Sequence, residues 1–322
     1  MHTASYQQQS LSQSDATLMI DDFVRRVFNS TGLAYRAPSD PEARVNSTLQ
    51  CYMPYFRAMV DVFNGRVDYD FSVPLELFND VRLEIGLRAI GPCLTCLAHN
   101  EDSCYLQSEA ECINFFIQCL REKAQRGGYI RSLSDRAHDA SIQSQELKEY
   151  VETVMEVCPR TMVVRGNLCY QGAFKSWFRV GDVFAGRCLL INAISSHAAF
   201  AGLTGYILGI EQSERWGFYI HAVFFFDAYK VMGEAERVQL IKELWAEITE
   251  GRGCWGDTDQ DSADWHPGGL YSTTGVFDVA EVSTSSRVAK GMMTISRGSR
   301  SLRIKPENGQ VLKIGRWPGS HF

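Results

Sequence analysis

A phenol, an imidazole and a carboxylate can share one face of a predicted hairpin. Tyr219 and His221 stand two residues apart in the apolar run Trp216 to Asp227, and side chains two apart lie on the same face of a strand. Glu211 ends the preceding apolar run, just across the hairpin. Because imidazole and carboxylate bind divalent cations, His221 and Glu211 predict a weak Mg²⁺ or Mn²⁺ site. The alternative is a structural histidine held in an apolar strand.

Cysteines offer a second candidate metal site, at Cys93 and Cys96. A structural zinc site needs another closely spaced pair, but Cys104 and Cys112 are separated by seven residues. The helical spacing of Cys112 with the phenylalanines that follow favours the alternative, small thiols in a helical core. The first residues carry no basic and apolar leader pattern. We therefore expect reduced thiols, a cytoplasmic location and no membrane segment.

The first half of the chain predicts a mostly helical region over residues 21–157, because its apolar residues recur at helical spacing. Residues 1–20 are rich in Gln and Ser, and we expect a disordered tail there. The polar stretch Gln125 to Ser144 predicts a linker at the domain boundary, and Gln145 to Val157 follows as an amphipathic helix. This helical region is the candidate for self-association.

The pattern changes after Cys158 to short β-branched and aromatic runs, over residues 158–281. The expected order is a strand, a helix, a hairpin and a second helix, which predicts an α+β fold with an antiparallel sheet covered by helices on one face. The elements are Met162 to Tyr170, Asp182 to Phe200, Leu203 to Glu211 with Trp216 to Asp227, and Glu234 to Glu250. Alternation places one face of the second hairpin strand in the core, namely Phe218, Ile220, Ala222, Phe224 and Phe226.

Length and charge limit the classes of function. With 322 residues, 45% hydrophobic content and a net charge of −6, the chain is neither a disordered protein nor a global polycation. Basic residues concentrate in a C-terminal segment, residues 282–322, which carries eight of them against one acid. Such a segment binds phosphates, and we expect DNA, single-stranded or an origin duplex, as the partner. The alternative is a solvated tail or a protein-docking surface. The candidate DNA-binding residues are Arg287, Lys290, Arg297, Arg300, Arg303, Lys305, Lys313 and Arg316.

Several blocks between Pro159 and Gly315 resemble the inovirus gene 2 protein-like family, also called the YagK/YfjJ C-terminal domain. The resemblance covers about half of the chain and implies a replication-initiation protein of a phage, prophage or mobile element, built on the ferredoxin-like sheet of the rolling-circle HUH initiators. The blocks are Gly205-Tyr-Ile-Leu-Gly-Ile-Glu211, Gly217-Phe-Tyr-Ile-His-Ala-Val-Phe-Phe-Phe-Asp227, Leu244-Trp-Ala-Glu-Ile-Thr-Glu-Gly-Arg-Gly253 and Val164-Arg-Gly-Asn-Leu-Cys-Tyr170.

The resemblance also implies chemistry, a metal-dependent attack of a tyrosine on a phosphodiester. His221 matches the second histidine of the family's His-hydrophobe-His strand, whereas Tyr219 stands at the first. The family's C-terminal tyrosine run is best matched by Thr294 to Arg297, and no tyrosine follows Tyr271. Tyr219 and Tyr271 are therefore the candidate nucleophiles. The alternatives are a catalytically degenerate DNA-binding or regulatory protein, and a structural protein that assembles through its helical half.

Overall fold

The chain folds into two compact units, Met1–Arg136 and Ala137–Phe322. The structure, a computed structural model, describes residues 11–35, 48–65, 68–90, 93–96, 108–231, 233–256, 275–278, 288–293, 295 and 302–316. The boundary falls inside the stretch for which we predicted a linker. From Gly128 onward, however, that stretch is the first half of a long helix, in which Tyr129 and Ala140 are buried.

The N-terminal unit is mainly helical, as predicted. Its first helix begins within the expected disordered tail, which makes that expectation wrong for residues 13–20. Ser12 caps the helix by accepting a hydrogen bond from the Asp15 amide at 3.0 Å, and Ala16 and Ile20 point into the core. The elements of this unit are α1 Gln13–Phe28, a 3₁₀ turn Met53–Tyr55, α2 Phe56–Asp61, β1 Tyr69–Phe71, α3 Val73–Glu84, β2 Arg88–Ile90, β3 Cys93–Thr95 and α4 Glu109–Gln125, and α5 Gly128–Val157 starts in it.

Aromatic rings and thiols fill the core of this unit. The ring of Phe78 packs against that of Phe116 with centroids 4.7 Å apart. The thiols of Cys96 and Cys112 lie 3.0 Å apart in the same core, and burial raises the pKa of Cys96 to about 12. Cys112 is therefore a core thiol, as its spacing indicates. The zinc candidate is undecided, because the Cys93 side chain and Cys104 lie outside the described residues.

The C-terminal unit is built around an antiparallel sheet, which confirms the predicted α+β class and the hairpin. Within the described residues the sheet order is β10–β5–β6–β4, and both β7 and β8 pair with the far side of β4. Every one of these pairs is antiparallel. The elements are β4 Arg160–Tyr170, α6 Val180–Ile194, a 3₁₀ turn Ala198–Phe200, β5 Leu203–Ser213, β6 Gly217–Asp227, α7 Glu234–Ile248, β7 Gly253–Gly256, β8 Gly275–Asp278, β9 Ile304–Pro306 and β10 Leu312–Arg316.

One face of the sheet, which we call the first face, carries the predicted core of Phe218, Ile220, Ala222, Phe224 and Phe226, all of them buried. Phe224 is fully buried and packs against Phe200, with ring centroids 5.2 Å apart. Arg237 of α7 lies 5.3 Å above the Phe226 ring. Helix α6 packs on β6, whereas α7 packs chiefly on β4 and β7. Trp245 of α7 accordingly donates a hydrogen bond to the Cys169 carbonyl at 2.9 Å.

The second face of the sheet is covered too, which corrects our expectation of helices on one face only. Val223 and Phe225 of β6 are fully buried there. They pack with the last turns of α5, whose buried residues include Val151 and Met155. The amphipathic pattern that we predicted for Gln145 to Val157 therefore faces this side of the sheet.

The described part of the C-terminal basic segment belongs to the fold of this unit, which rules out the alternative of a solvated tail for that part. Its strand β10 pairs with β5 at the edge of the sheet. Residues 288–293 are helical, and Val288, Met292 and Ile295 are buried against the second face. The apolar residues interleaved with the basic ones thus anchor the segment on the sheet.

Candidate functional site

Strand pairing brings the candidate residues to one face of the sheet. In the β5–β6 ladder Glu211 lies opposite Tyr219 and Gly209 lies opposite His221. In the β4–β6 ladder Asn167 lies opposite His221. Residues directly opposite in an antiparallel pair share a face. Glu211 and His221 therefore lie on the same side of the hairpin, as the sequence predicts.

Four side chains on this face form a continuous hydrogen-bonded chain, which we call the His221 array. Tyr219 Oη donates to Glu211 Oε2 at 2.8 Å. Glu211 Oε1 lies 3.1 Å from His221 Nδ1. On the far side of the imidazole, Arg165 Nε of β4 donates to His221 Nε2 at 2.8 Å. The array thus runs across three strands, from β5 through β6 to β4.

The imidazole in this array is neutral. Glu211, Tyr219 and His221 are each at most 6% exposed. Burial lowers the pKa of His221, and the Arg165 charge lowers it further, whereas Glu211 opposes both effects. A neutral ring carries a single N–H. Since Arg165 donates to Nε2, the proton sits on Nδ1 and points at Glu211.

These residues do not fit a divalent cation as they are arranged. Both nitrogens of His221 and both carboxylate oxygens of Glu211 already have protein partners. The neighbouring Arg165 adds a positive charge, which repels a cation. The part of the chain that the structure describes holds no group of three or more His, Cys, Asp or Glu able to bind a metal. Metal binding by His221 and Glu211 would therefore require Arg165 to leave Nε2, and the Mg²⁺ or Mn²⁺ site stays a prediction.

Beside the His221 array, Asn167 of β4 carries a buried hydrogen-bond acceptor without a partner in the described part of the chain. Asn167 is 3% exposed, and its Oδ1 has no hydrogen-bond partner among the described residues. Gly256 of β7 lies directly opposite Asn167. A Cβ on Gly256 would lie 3.0 Å from the Trp216 ring and 3.3 Å from the Cys169 sulfur. The indole of Trp216 thus lies over Gly256 on this face.

The structure describes one of the two candidate nucleophiles, Tyr219. The hydroxyl of Tyr219 is buried and donates to Glu211, which can act as a base for it but shields it from a substrate. Tyr271 lies outside the described residues. Within the described part of the chain, no tyrosine hydroxyl is thus both placed on this face and open to solvent.

The structure describes the side chains of half of the candidate DNA-binding residues. Lys290 is exposed. Lys305 and Lys313 flank the turn between β9 and β10. Lys305 Nζ donates to the Gly309 carbonyl at 3.3 Å, and Lys313 Nζ donates to Gln310 Oε1 at 2.8 Å. Arg303 is half-buried, and its amide donates to Gln212. Arg316 is described only as part of β10, and the remaining three lie outside the described residues, namely Arg287, Arg297 and Arg300.

Sequence reasoning missed the role of Arg165. It is the charged residue inside the apolar strand Arg160–Tyr170. A charge in such a strand needs a partner, since burying it alone is costly. That signal was present in the sequence, but the partner depends on which strand pairs with β4.

Comparison with known proteins adds no relative. The chain matches no protein-family model, no curated protein and no solved structure. The resemblance to the inovirus gene 2 protein-like family therefore rests on the sequence blocks and their spacing alone.

Within the described ranges, none of the helices combines the length and apolar composition that a membrane crossing requires.

Proposed function

We propose that the C-terminal unit is a DNA-binding module of the replication-initiator type in which the His221 array occupies the place of a catalytic metal. The observation that carries the proposal is the hydrogen bond from Arg165 to Nε2 of His221. In the family that the chain resembles, this histidine position serves a metal ion. Here a guanidinium supplies the positive charge, so the protein binds DNA as a regulatory or initiation factor without cutting it.

The order of the strands supports this proposal. Strands β4, β5, β6 and β7 with helices α6 and α7 follow one another as strand, helix, strand, strand, helix, strand. They lie in the sheet as β5–β6–β4–β7, with all neighbours antiparallel. A split βαβ arrangement of this kind is typical of ferredoxin-like sheets. We propose that fold for the unit on this ground.

The charge distribution supports DNA as the partner. Residues 282–322 carry a net charge of +7, which leaves the rest of the chain at −13. The described part of this segment is anchored on the sheet through β10 and Ile295. Anchoring restricts the described basic residues Lys290, Arg303, Lys305 and Lys313, which reduces the entropic cost of binding phosphates with them.

The proposal is tested by separating binding from cutting. The purified protein is incubated with a mixed-sequence single strand and with supercoiled plasmid, with and without Mn²⁺ or Mg²⁺. We expect retarded DNA in a native gel, and no protein–DNA adduct that survives boiling in detergent. An adduct would show that nicking chemistry is retained. Absence of any DNA binding at low salt would overturn the proposal as a whole.

A further inference from the structure

Three loops meet at one end of the sheet and present aromatic and basic side chains together. They are the segment after β4, the turn between β5 and β6, and the connection from α7 to β7. Trp177 is 68% exposed there, and its ring meets that of Phe174 edge to face at 5.3 Å. We call this surface the aromatic–basic rim and define it by Lys175, Trp177, Arg179, Arg215, Trp216 and Arg252.

The rim is held in place by contacts between the loops. Lys175 Nζ donates to the Glu214 carbonyl of the hairpin turn. The carbon atoms of Lys175 lie against Gly217, where any Cβ would come within 3.1 Å of them and where the positive φ of 69° also favours glycine. Gln171 donates from its amide to the Arg252 carbonyl at 2.9 Å. The exposed ring of Trp177 therefore lies on a loop that hydrogen bonds tie to the neighbouring loops.

Cations already lie over the rings of the rim. The guanidinium of Arg215 is 4.5 Å from the centre of the Trp216 ring. That of Arg252 is 5.7 Å from the ring of Phe178, which itself stacks on Tyr170 at 3.6 Å. Indole and guanidinium planes are the groups on which unpaired bases stack.

We propose that the aromatic–basic rim binds single-stranded DNA, with Trp177 stacking on an unpaired base and Lys175 and Arg179 contacting the adjacent phosphates. This inference rests on the proposed function and adds a binding surface outside the C-terminal basic segment. Bases in a duplex are stacked on each other, so their faces are not available to Trp177. The rim thus selects single strands.

The charges of the rim indicate how it binds. Glu214 and Glu250 lie in the same loops, and Glu250 pairs with Arg252. The net positive charge of the rim is therefore small, in contrast to the C-terminal segment. Stacking must contribute most of its affinity, and stacking releases few counterions. The affinity that Trp177 contributes should accordingly depend little on salt, whereas the phosphate contacts of Lys175 and Arg179 account for the salt-dependent part.

The test compares two exposed aromatic residues, Trp177 on the rim and Tyr229 beyond the other end of β6. Fluorescence anisotropy measures binding of a labelled single strand and of the matching duplex to the intact protein. Trp177→Ala should weaken single-strand binding about 5- to 100-fold, leave duplex binding unchanged and leave the salt slope unchanged. Trp177→Phe should retain most of the affinity because it keeps a π face.

Tyr229→Ala is the matched control. Tyr229 is 74% exposed and has its own cation, Arg160, at 5.3 Å, but it follows the other end of β6. Its removal should leave binding unchanged. If the wild-type protein binds DNA and Trp177→Ala binds the single strand equally well, the proposed role of the rim is wrong while the proposed function stands. A preference for a single RNA strand of the same sequence would overturn the assignment to DNA. A protein that binds no nucleic acid overturns both.

Discussion

Arg165 and His221 face each other across β4 and β6, joined by a hydrogen bond of 2.8 Å from Nε to Nε2. The bond fixes the imidazole as an acceptor on that side and places its proton toward Glu211. This neutral imidazole, hydrogen-bonded on both sides, links the side chains of β4 and β5 across β6. It is also unable to bind a metal until Arg165 moves.

This relationship predicts a pH dependence of stability. The pKa of His221 is below its usual 6.5 in the folded protein, because burial disfavours the charged ring. Below about pH 6.5 the unfolded chain therefore takes up a proton that the folded protein does not. The free energy of unfolding should fall as the pH drops from about 7 to 5.5, by at most about 1.4 kcal/mol per pH unit.

Urea unfolding across that pH range measures the effect, and His221→Gln should reduce the slope. A wild-type slope no steeper than that of His221→Gln would contradict a neutral, buried imidazole at position 221.

The buried face of β6 predicts the cost of a core deletion. Phe224 is fully buried against Phe200, so Phe224→Ala should lower the free energy of unfolding by about 3–5 kcal/mol. Leu189→Ala is the control, since Leu189 is 53% exposed on α6 and should change stability by less than about 0.5 kcal/mol. Equal effects in chemical denaturation would contradict the burial of Phe224.

The hairpin could be predicted from sequence because its pattern is local. Two apolar runs flank the polar turn at Gln212–Arg215, and the alternation in β6 assigns each side chain to a face. The partner of Arg165 could not be predicted from sequence. It depends on β4 lying beside β6, which brings together two residues 56 positions apart in the chain. The first turns of α1, residues 13–20, were missed for another reason. Gln and Ser dominate the composition before Ile20 and obscure its apolar spacing.

The basic segment predicts a salt-dependent contribution to DNA binding. Replacing Arg297, Arg300 and Arg303 with Ala should weaken binding to all sequences and flatten the dependence of log K on log salt. On a single strand the slope should change by about 0.7 for each phosphate that the variant no longer neutralises. The control replaces three exposed basic residues elsewhere, namely Arg126 at the C-terminal cap of α4, Arg131 of α5 and Lys242 of α7. An unchanged slope in the first variant would assign the segment to a protein surface.

The His221 array predicts which substitutions create a metal site. Tyr219→His places a second imidazole two residues from His221 on the same face, and Mn²⁺ binding should tighten if the site is a degraded version of the family's. The structure adds a condition, since Arg165 holds Nε2 of His221 and its charge opposes a cation. Tyr219→His alone should therefore gain little, whereas Tyr219→His with Arg165→Gln should gain clearly more. Calorimetric titration with Mn²⁺ compares the two with Arg165→Gln alone as the control. If the double variant binds no better than the wild-type protein, His221 is a structural histidine and the sheet carries no latent metal site.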